Sequence, residues 1–323
     1  MERQFEQWFT ETGEVRDGIA HEREVIYTGR NGHQVERVRV LTDGSVYSFI
    51  FKPLTNDTSI GKEIWVQTHI LPKIAEVRVP RIYLYAAEER PEHYWILVED
   101  MGVLKHSFHP DTLKEAAAVI PLWHALPTDL LPAGFEGHTP RARSIQESLL
   151  ANQERIVAML NNNGFDEKDV AYYHRELASS EQIEGDIVLS HGDLYPLNVA
   201  RTEQELVIID WEYIHNNSVY WDLFCLIDIT SPMYRREVVS PDARLDILES
   251  YVQARAKRDT PVGEDFMRSY HKYAALYSIW VLMLIEGDLA QDKFDRVSLL
   301  QQHEETLEII KQTLGFLRSN GLK

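Results

Sequence analysis

The sequence predicts an α+β fold of two lobes, in which a small β-rich lobe over residues 1–102 precedes a large helical lobe over residues 103–323. In the first third of the chain, short apolar runs bounded by turn residues are typical of strands. In the rest of the chain, apolar residues recur at the helical interval. A chain of 323 residues is long enough for two such units, and it has no internal repeat or low-complexity tract.

The first lobe contains four predicted strands and one predicted helix. The first two strands form a hairpin, because Asp43 and Gly44 mark a turn between them. The second strand is followed by Lys52, which Pro53 keeps in an extended conformation. The helix follows and carries Glu63. The four strands lie at 35–40, 46–51, 81–86 and 93–99, and the helix at 59–71.

The second lobe is predicted to be mainly helical. Glycine and proline are sparse within its helical segments, apart from Pro121, which is expected to break the first of them. Turn residues such as Ser240-Pro241 mark several of the boundaries. The helical segments lie at 110–126, 144–161, 167–178, 242–257, 266–286 and 299–317.

The most informative stretch is His191-Gly-Asp-Leu-Tyr-Pro-Leu-Asn198, with Asp210 twelve residues beyond the asparagine. Apolar runs at 187–190 and 205–209 flank it and predict a hairpin that holds Asp193, Asn198 and Asp210 at one rim. Transfer of a γ-phosphoryl group from ATP to a hydroxyl needs a carboxylate beside the hydroxyl and oxygen ligands for Mg²⁺. Asp193 suits the first role, and Asn198 and Asp210 suit the second. The alternative is a polar turn between two strands.

This block resembles the signature of the aminoglycoside phosphotransferase and choline kinase family, His-x-Asp-x-x-x-x-Asn followed by Ile-Asp-(aromatic)-Glu. The resemblance implies a bilobal protein-kinase-like fold, ATP or GTP as the phosphate donor, and Mg²⁺. It makes Asp193 the catalytic base, with Asn198 and Asp210 as metal ligands. It gives His191 and Asp222 supporting roles that brace the catalytic loop.

The resemblance also implies that the first lobe binds the nucleotide phosphates. Lys52 would face the α- and β-phosphates, and Glu63 would pair with it. A surface lysine and a solvated carboxylate are the alternatives. The glycine-rich loop of protein kinases is reduced here to Gly29-Arg-Asn-Gly32, so Asn31 and Gly32 are the candidates for phosphate contact.

The adenine contacts implied by the resemblance lie near the end of the first lobe. Glu99-Asp-Met101-Gly has the position of the hinge, where the backbone around Glu99 and Met101 would read the adenine edge. Ile209 would pack against the ring. Backbone recognition leaves little trace in a sequence, so these assignments depend on the resemblance.

The acceptor is a small molecule with a hydroxyl group, and its binding residues are the least defined. Candidates near the predicted metal ligand and base are Glu212, Trp211 and Tyr195. Trp280 and Tyr277, on the same predicted helix at 266–286, offer aromatic faces of the kind that hold quaternary ammonium groups. The alternative is that this apolar helix belongs to the hydrophobic core. By resemblance, residues 209–213 with Asn217 and Asp222 favour choline and ethanolamine kinases, but aminoglycosides, homoserine, thiamine, methylthioribose and fructosamines all stay open as acceptors.

The composition limits the classes of function. The net charge is -18, with 12 basic and 17 acidic residues over 1–102 and 21 and 34 over 103–323. Nucleic-acid binding normally needs a basic surface and is not expected. The acidic second lobe suits a cationic acceptor, although solvated helix faces explain the same charge.

The cellular setting follows from the cysteine and the apolar segments. Cys225 is the one cysteine, which excludes an intrachain disulfide, and its apolar neighbours predict a buried thiol. We find no apolar signal core and no uninterrupted apolar segment of about 20 residues, so we expect a cytoplasmic protein without membrane contact. The oligomeric state is not determined. Two functions fit these observations: an ATP- and Mg²⁺-dependent phosphotransferase, or a catalytically silent kinase-like ligand-binding or scaffold protein.

Overall fold

The computed structural model describes residues 3–29, 32–42, 44–54, 57–86, 88, 90–135, 137, 140–177 and 183–319. The chain divides into two compact units, each built from two segments. The first unit comprises Met1–His106 and Asn198–Tyr213, and the second comprises Ser107–Leu197 and Ile214–Lys323. The predicted lobe boundary at Gly102 falls just before His106. The segment Asn198–Tyr213, which the sequence placed in the helical lobe, packs within the first unit instead.

A five-stranded antiparallel sheet forms the centre of the first unit. Its strands are β1 (Ala20–Thr28), β2 (Gln34–Thr42), β3 (Ser45–Pro53), β4 (Ile82–Tyr85) and β5 (Trp95–Glu99), in the order β1-β2-β3-β5-β4. The predicted hairpin is confirmed as β2 and β3, with Val38 opposite Phe49. Asp43 of the predicted turn lies outside the described residues, and Gly44 has a φ of 74°. The sequence did not predict β1, because this edge strand is exposed along nearly its whole length.

Aromatic packing fixes β3, the strand that carries Lys52. The ring of Phe49 is buried at 2% exposure and is surrounded by other rings. The centroids of Phe5, Phe9 and Tyr83 lie 5.0, 5.7 and 5.8 Å from that of Phe49. Close-packed aromatic side chains of this kind hold a strand in one position.

Five shorter strands complete the β structure described here: β6 (Lys105–His106), β7 (Ile187–Ser190), β8 (Val199–Arg201), β9 (Leu206–Ile208) and β10 (His215–Ser218). In the first unit, β8 pairs with both β6 and β9. In the second unit, β7 pairs with β10. The hairpin predicted from residues 187–190 and 205–209 is therefore wrong. The sequence of β10, His-Asn-Asn-Ser, is polar and gave no strand signal.

Every predicted helical segment is helical in the structure. The first divides at Pro121, as predicted, and the second divides at Asn152. The third ends in a π-helical turn at Tyr173–Leu177. The helices are α1 (Lys62–His69), α2 (Pro110–Val119), α3 (Pro121–His124), α4 (Ala142–Ala151), α5 (Gln153–Asn162), α6 (Glu167–Tyr172), α7 (Trp221–Ile227), α8 (Pro241–Ala256), α9 (Phe266–Gln291) and α10 (Arg296–Ser319).

Helix α7 was not predicted, because all seven of its residues are buried and it shows no alternation of apolar and polar faces. Cys225 lies on this helix, and its thiol is buried as predicted. Burial raises the pKa of the Cys225 thiol well above its ordinary value. The thiol therefore has the character of a core side chain.

Helix α9 forms the core of the second unit. It packs against α4, α5 and α10, and Tyr277 stacks on Tyr273 with a centroid distance of 4.5 Å. By length and composition α9 is apolar enough to cross a membrane, with a mean hydropathy of 1.3 in its most apolar window. However, 56% of that window is buried inside the protein, as expected of a core helix. Trp280 is half-buried on the same helix.

Candidate active site

Lys52, near the end of β3, lies among three carboxylates of the first unit. Its Nζ is 3.0 Å from Glu63 Oε2 on α1, 2.5 Å from Asp210 Oδ1 and 3.5 Å from Glu212 Oε2. The predicted ion pair with Glu63 is thus present. Burial disfavours the charged lysine, but the three carboxylates hold the pKa of Lys52 well above its ordinary value. Lys52 therefore stays protonated at neutral pH.

The same three carboxylates are close enough to share a cation. Oxygen atoms of Glu63, Asp210 and Glu212 all lie within 4.8 Å of one another. Burial raises the pKa of Glu63, and the nearby Asp210 and Glu212 add to this effect against the lowering by Lys52. Hard carboxylate oxygens are the ligands that Mg²⁺ prefers, so the donor set fits this ion.

The β8–β9 hairpin brings Asn198 and Asp210 to the same end of the first unit. Val199 is opposite Ile208, and the amide of Ile209 donates to the Asn198 carbonyl at 3.0 Å. Asp210 follows directly and has a φ of 66°, a left-handed conformation that aspartate adopts more readily than most residues. A 3-10 turn at Trp211–Tyr213 then places Glu212, only 4% exposed, beside Lys52.

In the second unit, Asp222 on α7 anchors the loop that contains the His-Gly-Asp motif. Its side chain is fully buried, and burial disfavours the charged form, yet hydrogen bonds hold the pKa of Asp222 well below its ordinary value. A single carboxylate thus gathers donors from the loop and from α3. The five donors are Trp123 Nε1 at 2.8 Å, His124 Nε2 at 3.1 Å, Ser190 Oγ at 2.6 Å, His191 N at 2.9 Å and Gly192 N at 3.1 Å.

Two further contacts fix the peptide group that precedes Asp193. The Asp193 amide donates to His191 Nδ1 at 3.3 Å, and Trp221 Nε1 donates to the Gly192 carbonyl at 2.8 Å. Gly192 has a φ of 90°, which a residue with a side chain rarely adopts. The half-buried Asp193 therefore extends from a loop in which the peptide group before it is held at both its N–H and its carbonyl.

His124 links Asp222 to a longer chain of hydrogen bonds. Burial lowers the pKa of His124, so the ring is neutral and donates from Nε2 to Asp222. The Tyr251 hydroxyl donates to His124 Nδ1 at 3.0 Å, and Arg255 Nη1 donates to the Tyr251 oxygen at 3.3 Å. These contacts fix the tautomer of the histidine.

A sequence model described as the phosphotransferase enzyme family matches residues 29–260, well over half of the chain. The chain belongs to this family. Membership makes the protein a phosphotransferase enzyme, as the motif at residues 191–198 predicted. No protein with a curated description matches the sequence.

Several solved structures share the fold of the phosphotransferase. Choline kinase from Cryptosporidium parvum Iowa II has a TM-score of 0.54 at 12% identity, covering 94% of this chain and 91% of that one. A choline/ethanolamine kinase family protein from Mesorhizobium loti has a TM-score of 0.55 at 14% identity, with coverages of 94% and 95%. The GDP complex of wild-type aminoglycoside 2'-phosphotransferase-IIIa has a TM-score of 0.52 at 14% identity, with coverages of 93% and 94%. The likeness confirms the predicted α+β, protein-kinase-like fold class.

The residues predicted to bind the nucleotide belong to the first unit of the phosphotransferase and differ in burial and in their contacts. The Glu99 carboxylate pairs with Arg78, while Met101 and Ile209 are half-buried. Gly32 is exposed with a φ of 80°, and its amide donates to the Gly29 carbonyl at 3.0 Å. Asn31 lies outside the described residues. Their roles toward a nucleotide stay predictions.

The predicted acceptor residues are divided between the two units. Trp211 and Glu212 belong to the first unit, where Trp211 is 2% exposed and Glu212 lies with Lys52 and Asp210. Tyr195 and Trp280 belong to the second unit. The position of Glu212 beside Lys52 suits a group that handles charge at the phosphate end, whereas the sequence suggested an acceptor contact.

Sequence reasoning missed three of the five donors to Asp222. Ser190 was one of the three, although its position directly before the motif was a signal that could have revealed it. Trp123 and His124 lie about a hundred residues earlier, within a helical segment that has no motif of its own. Only the packing of α3 within the second unit reveals them.

Proposed function

We propose that this phosphotransferase moves the γ-phosphate of ATP or GTP to a hydroxyl group of a small molecule, with Mg²⁺ as cofactor. The observation that carries the proposal is the grouping of Lys52 with Glu63, Asp210 and Glu212. To bind a nucleoside triphosphate together with its metal ion, a site needs a protonated amine for the phosphates and carboxylates for the metal. Family membership and the GDP complex of a structural neighbour support it.

On the nucleotide side, each residue has a role that its contacts support. Lys52 binds phosphate oxygens, and Glu63 orients its amine. Asp210 and Asn198 would hold Mg²⁺, and Glu212 is a further ligand suggested by its contact with the same lysine. When bound, Mg²⁺ neutralises charge on the phosphates. The backbone near Glu99 and Met101, the side chain of Ile209 and the amide of Gly32 are proposed to contact the nucleotide.

On the acceptor side, Asp193 orients the attacking hydroxyl and accepts its proton at a carboxylate oxygen. The loop around it is fixed through Asp222, His191 and Trp221, so its geometry is set before the substrate arrives. Tyr195 lies two residues further along the same segment and is the best placed of the predicted acceptor residues. We propose that residues 1–102, together with the Asn198–Tyr213 segment that packs in the same unit, bind the nucleotide, and that the rest of residues 103–323 binds the acceptor. We expect the protein to act in the cytoplasm.

The proposal is tested by measuring Mg²⁺-dependent nucleotide consumption and product formation with a panel of small alcohols. The panel contains aminoglycosides, choline, ethanolamine, hydroxy amino acids and sugars. We expect Asp193→Ala and Asp210→Asn each to reduce turnover at least about a hundredfold, because each removes a group that acts in the transfer itself.

The matched control is Asp246→Ala, which changes an exposed aspartate on α8. It is expected to keep wild-type turnover. Full activity in the Asp193 and Asp210 variants would refute the site. Nucleotide binding without product from any acceptor would favour the catalytically silent alternative.

A further inference from the structure

Beside the loop of Asp193, the second unit contains a cluster of aromatic and charged side chains, three of which are buried. We define the Tyr195 cluster as Phe108, Tyr195, Tyr234, Arg236 and Glu305. The ring of Tyr195 lies 5.9 Å from that of Phe108 and 5.5 Å from that of Tyr234. Arg236 Cζ lies 5.7 Å from the Phe108 centroid, and Glu305 Oε1 accepts from the Arg236 amide at 3.3 Å.

Three polar atoms of the Tyr195 cluster are buried without a hydrogen-bond partner. They are the Tyr195 hydroxyl, Arg236 Nε and Glu305 Oε2. Native structures contain few such atoms, because each loses its hydrogen bonds to water on folding. Two of these atoms are donors and the third is an acceptor. Their grouping beside the loop of Asp193 points to a ligand that completes them.

The charge of Arg236 indicates what kind of ligand this is. Arg236 is 3% exposed, and its Nη1 and Nη2 donate to the carbonyls of Ile229 and Leu226. Within the described part of the chain, no carboxylate oxygen lies within 4.0 Å of its guanidinium. Nearby Asp228 pairs with Arg244, and Glu305 bonds to the amide of Arg236 instead.

A buried guanidinium without a carboxylate attracts an oxyanion or a carbonyl oxygen and repels a fixed cation. A quaternary ammonium group has no N–H donor and no acceptor atom. It would therefore leave the Tyr195 hydroxyl and Arg236 Nε without hydrogen-bond partners, and the positive charge of Arg236 would oppose its attraction to the Glu305 carboxylate. The aromatic rings of the Tyr195 cluster alone would suit such a cation, but the guanidinium over the Phe108 ring already occupies that role.

We propose that the Tyr195 cluster binds the polar end of the acceptor, and that this end carries a carboxylate or carbonyl oxygen together with an N–H or O–H donor. The oxygen pairs with Arg236 Nε and the Tyr195 hydroxyl, and the donor pairs with Glu305 Oε2. Hydroxy amino acids and related hydroxy acids are then the substrate class, in contrast to choline-like alcohols. This inference rests on the proposed phosphotransfer to a small alcohol.

The first test measures binding and needs no turnover. Thermal unfolding is followed with and without L-serine, L-homoserine and glycerate, and with and without choline. At least one of the three carboxylate-bearing alcohols is expected to raise the Tm of the wild type, whereas choline is not. Tyr195→Phe removes only an unpartnered hydroxyl, so the variant should fold, but it should lose most of this rise. Glu305→Gln should reduce the rise for the two amino acids and leave that for glycerate less affected.

The control is Tyr173→Phe, which removes another buried hydroxyl without a partner, on the π-helical turn outside the cluster. It should respond to ligands as the wild type does. The proposal is overturned if choline alone stabilises the protein, if none of the carboxylate-bearing alcohols does, or if Tyr195→Phe responds as the control does.

Product formation separates this inference from the proposed function. With a productive hydroxy acid, Tyr195→Phe is expected to raise the acceptor KM at least about fivefold and to leave the nucleotide KM unchanged. Stabilisation by these compounds without any phosphorylated product would reject the proposed function and keep the binding cluster. Efficient phosphorylation of choline, with an unchanged KM in Tyr195→Phe, would keep the proposed function and reject the cluster.

Discussion

A single carboxylate, that of Asp222, connects the catalytic loop to α3 and α7. It accepts five hydrogen bonds from donors that lie on two segments of the second unit, α3 and residues 190–192. An asparagine side chain of the same shape has one acceptor oxygen and one amide donor. The amide would face donors such as the amides of His191 and Gly192, so at least two hydrogen bonds would be lost in a fully buried position.

We therefore expect Asp222→Asn to reduce the free energy of unfolding by about 3 kcal/mol and turnover by about a hundredfold. Denaturant unfolding measures the first quantity, and nucleotide consumption measures the second. Asp246→Asn, on the exposed face of α8, serves as the control and should change neither. Wild-type stability in the Asp222 variant would contradict the anchoring role.

Local sequence predicted the residues of the site that occur in one motif and missed those that tertiary packing supplies. Asp193, Asn198 and Asp210 could be proposed from sequence because their spacing within one short stretch is specific, and their roles stay predictions. The contact of Glu212 with Lys52 joins residues from the two separate segments of the first unit. No pattern within a single segment reports such a contact, so the sequence assigned Glu212 to the acceptor.

Four elements of the second unit meet at a buried ion pair between Arg244 and Asp228. Arg244 on α8 donates from Nη2 to Asp228 Oδ1 at 2.7 Å, just beyond the end of α7. Tyr270 on α9 donates to the other oxygen of Asp228 at 2.7 Å. Arg244 Nη1 donates to Gln312 on α10 at 2.8 Å. The pair thus fixes the packing of α7, α8, α9 and α10.

Replacing Arg244 with methionine is expected to destabilise the phosphotransferase by about 3 to 5 kcal/mol, because Asp228 is left as an unpaired buried charge. Adding Asp228→Asn should recover part of that loss, since the charge is then absent. Chemical denaturation of the single and double variants measures both effects. Arg143→Met, which changes an arginine whose side chain is 83% exposed, provides the comparison. A double variant less stable than Arg244→Met would contradict this explanation.

The elements that sequence predicted are those with a clear periodicity. The β2–β3 hairpin alternates apolar and polar residues, and helices α8, α9 and α10 each extend over four or more turns. The elements that it missed lack such a pattern. Strand β1 is exposed along nearly its whole length, and helix α7 is buried on every side. The pairing of β7 with β10 joins strands that lie far apart in the chain, so the nearer run at 205–209 was wrongly taken as the partner.

Across the whole molecule, buried histidines make stability depend on pH. The ring of His271 on α9 stacks on Phe316 at 3.7 Å, and its Nδ1 donates to the Met267 carbonyl at 2.7 Å. Burial lowers the pKa of His271 to about 4, while Asp228 opposes this effect and Arg244 adds to it. Below a pH of about 6.5 the unfolded chain binds a proton that the folded protein does not bind until about pH 4. The stability that depends on the neutral His271 ring is therefore fully present above about pH 6.5, and it declines as the pH falls towards 4.

His271→Phe should weaken this decline, because phenylalanine keeps the stacking but does not titrate. Between pH 7 and pH 4.5, the wild type is expected to lose about 2 kcal/mol more free energy of unfolding than the variant. Denaturant titrations at the two pH values measure the difference. His303→Phe, at a half-buried position on α10, should lose as much stability as the wild type. Equal pH dependence in the wild type and the His271 variant would show that this ring does not account for the decline.

The first unit includes a segment from far along the chain, so it cannot be completed during synthesis until that segment has been made. Residues 1–106 contain Lys52 and Glu63, but β8, β9, Asp210 and Glu212 come from Asn198–Tyr213. At about 5 to 20 residues per second, a ribosome needs on the order of ten seconds to add the residues between His106 and Tyr213. During that interval the nascent chain has β6 without its partner β8 and Lys52 without two of its three carboxylates. The first unit, in which we propose that the nucleotide binds, is therefore started first and is completed only after residues 107–197 of the second unit have been synthesised.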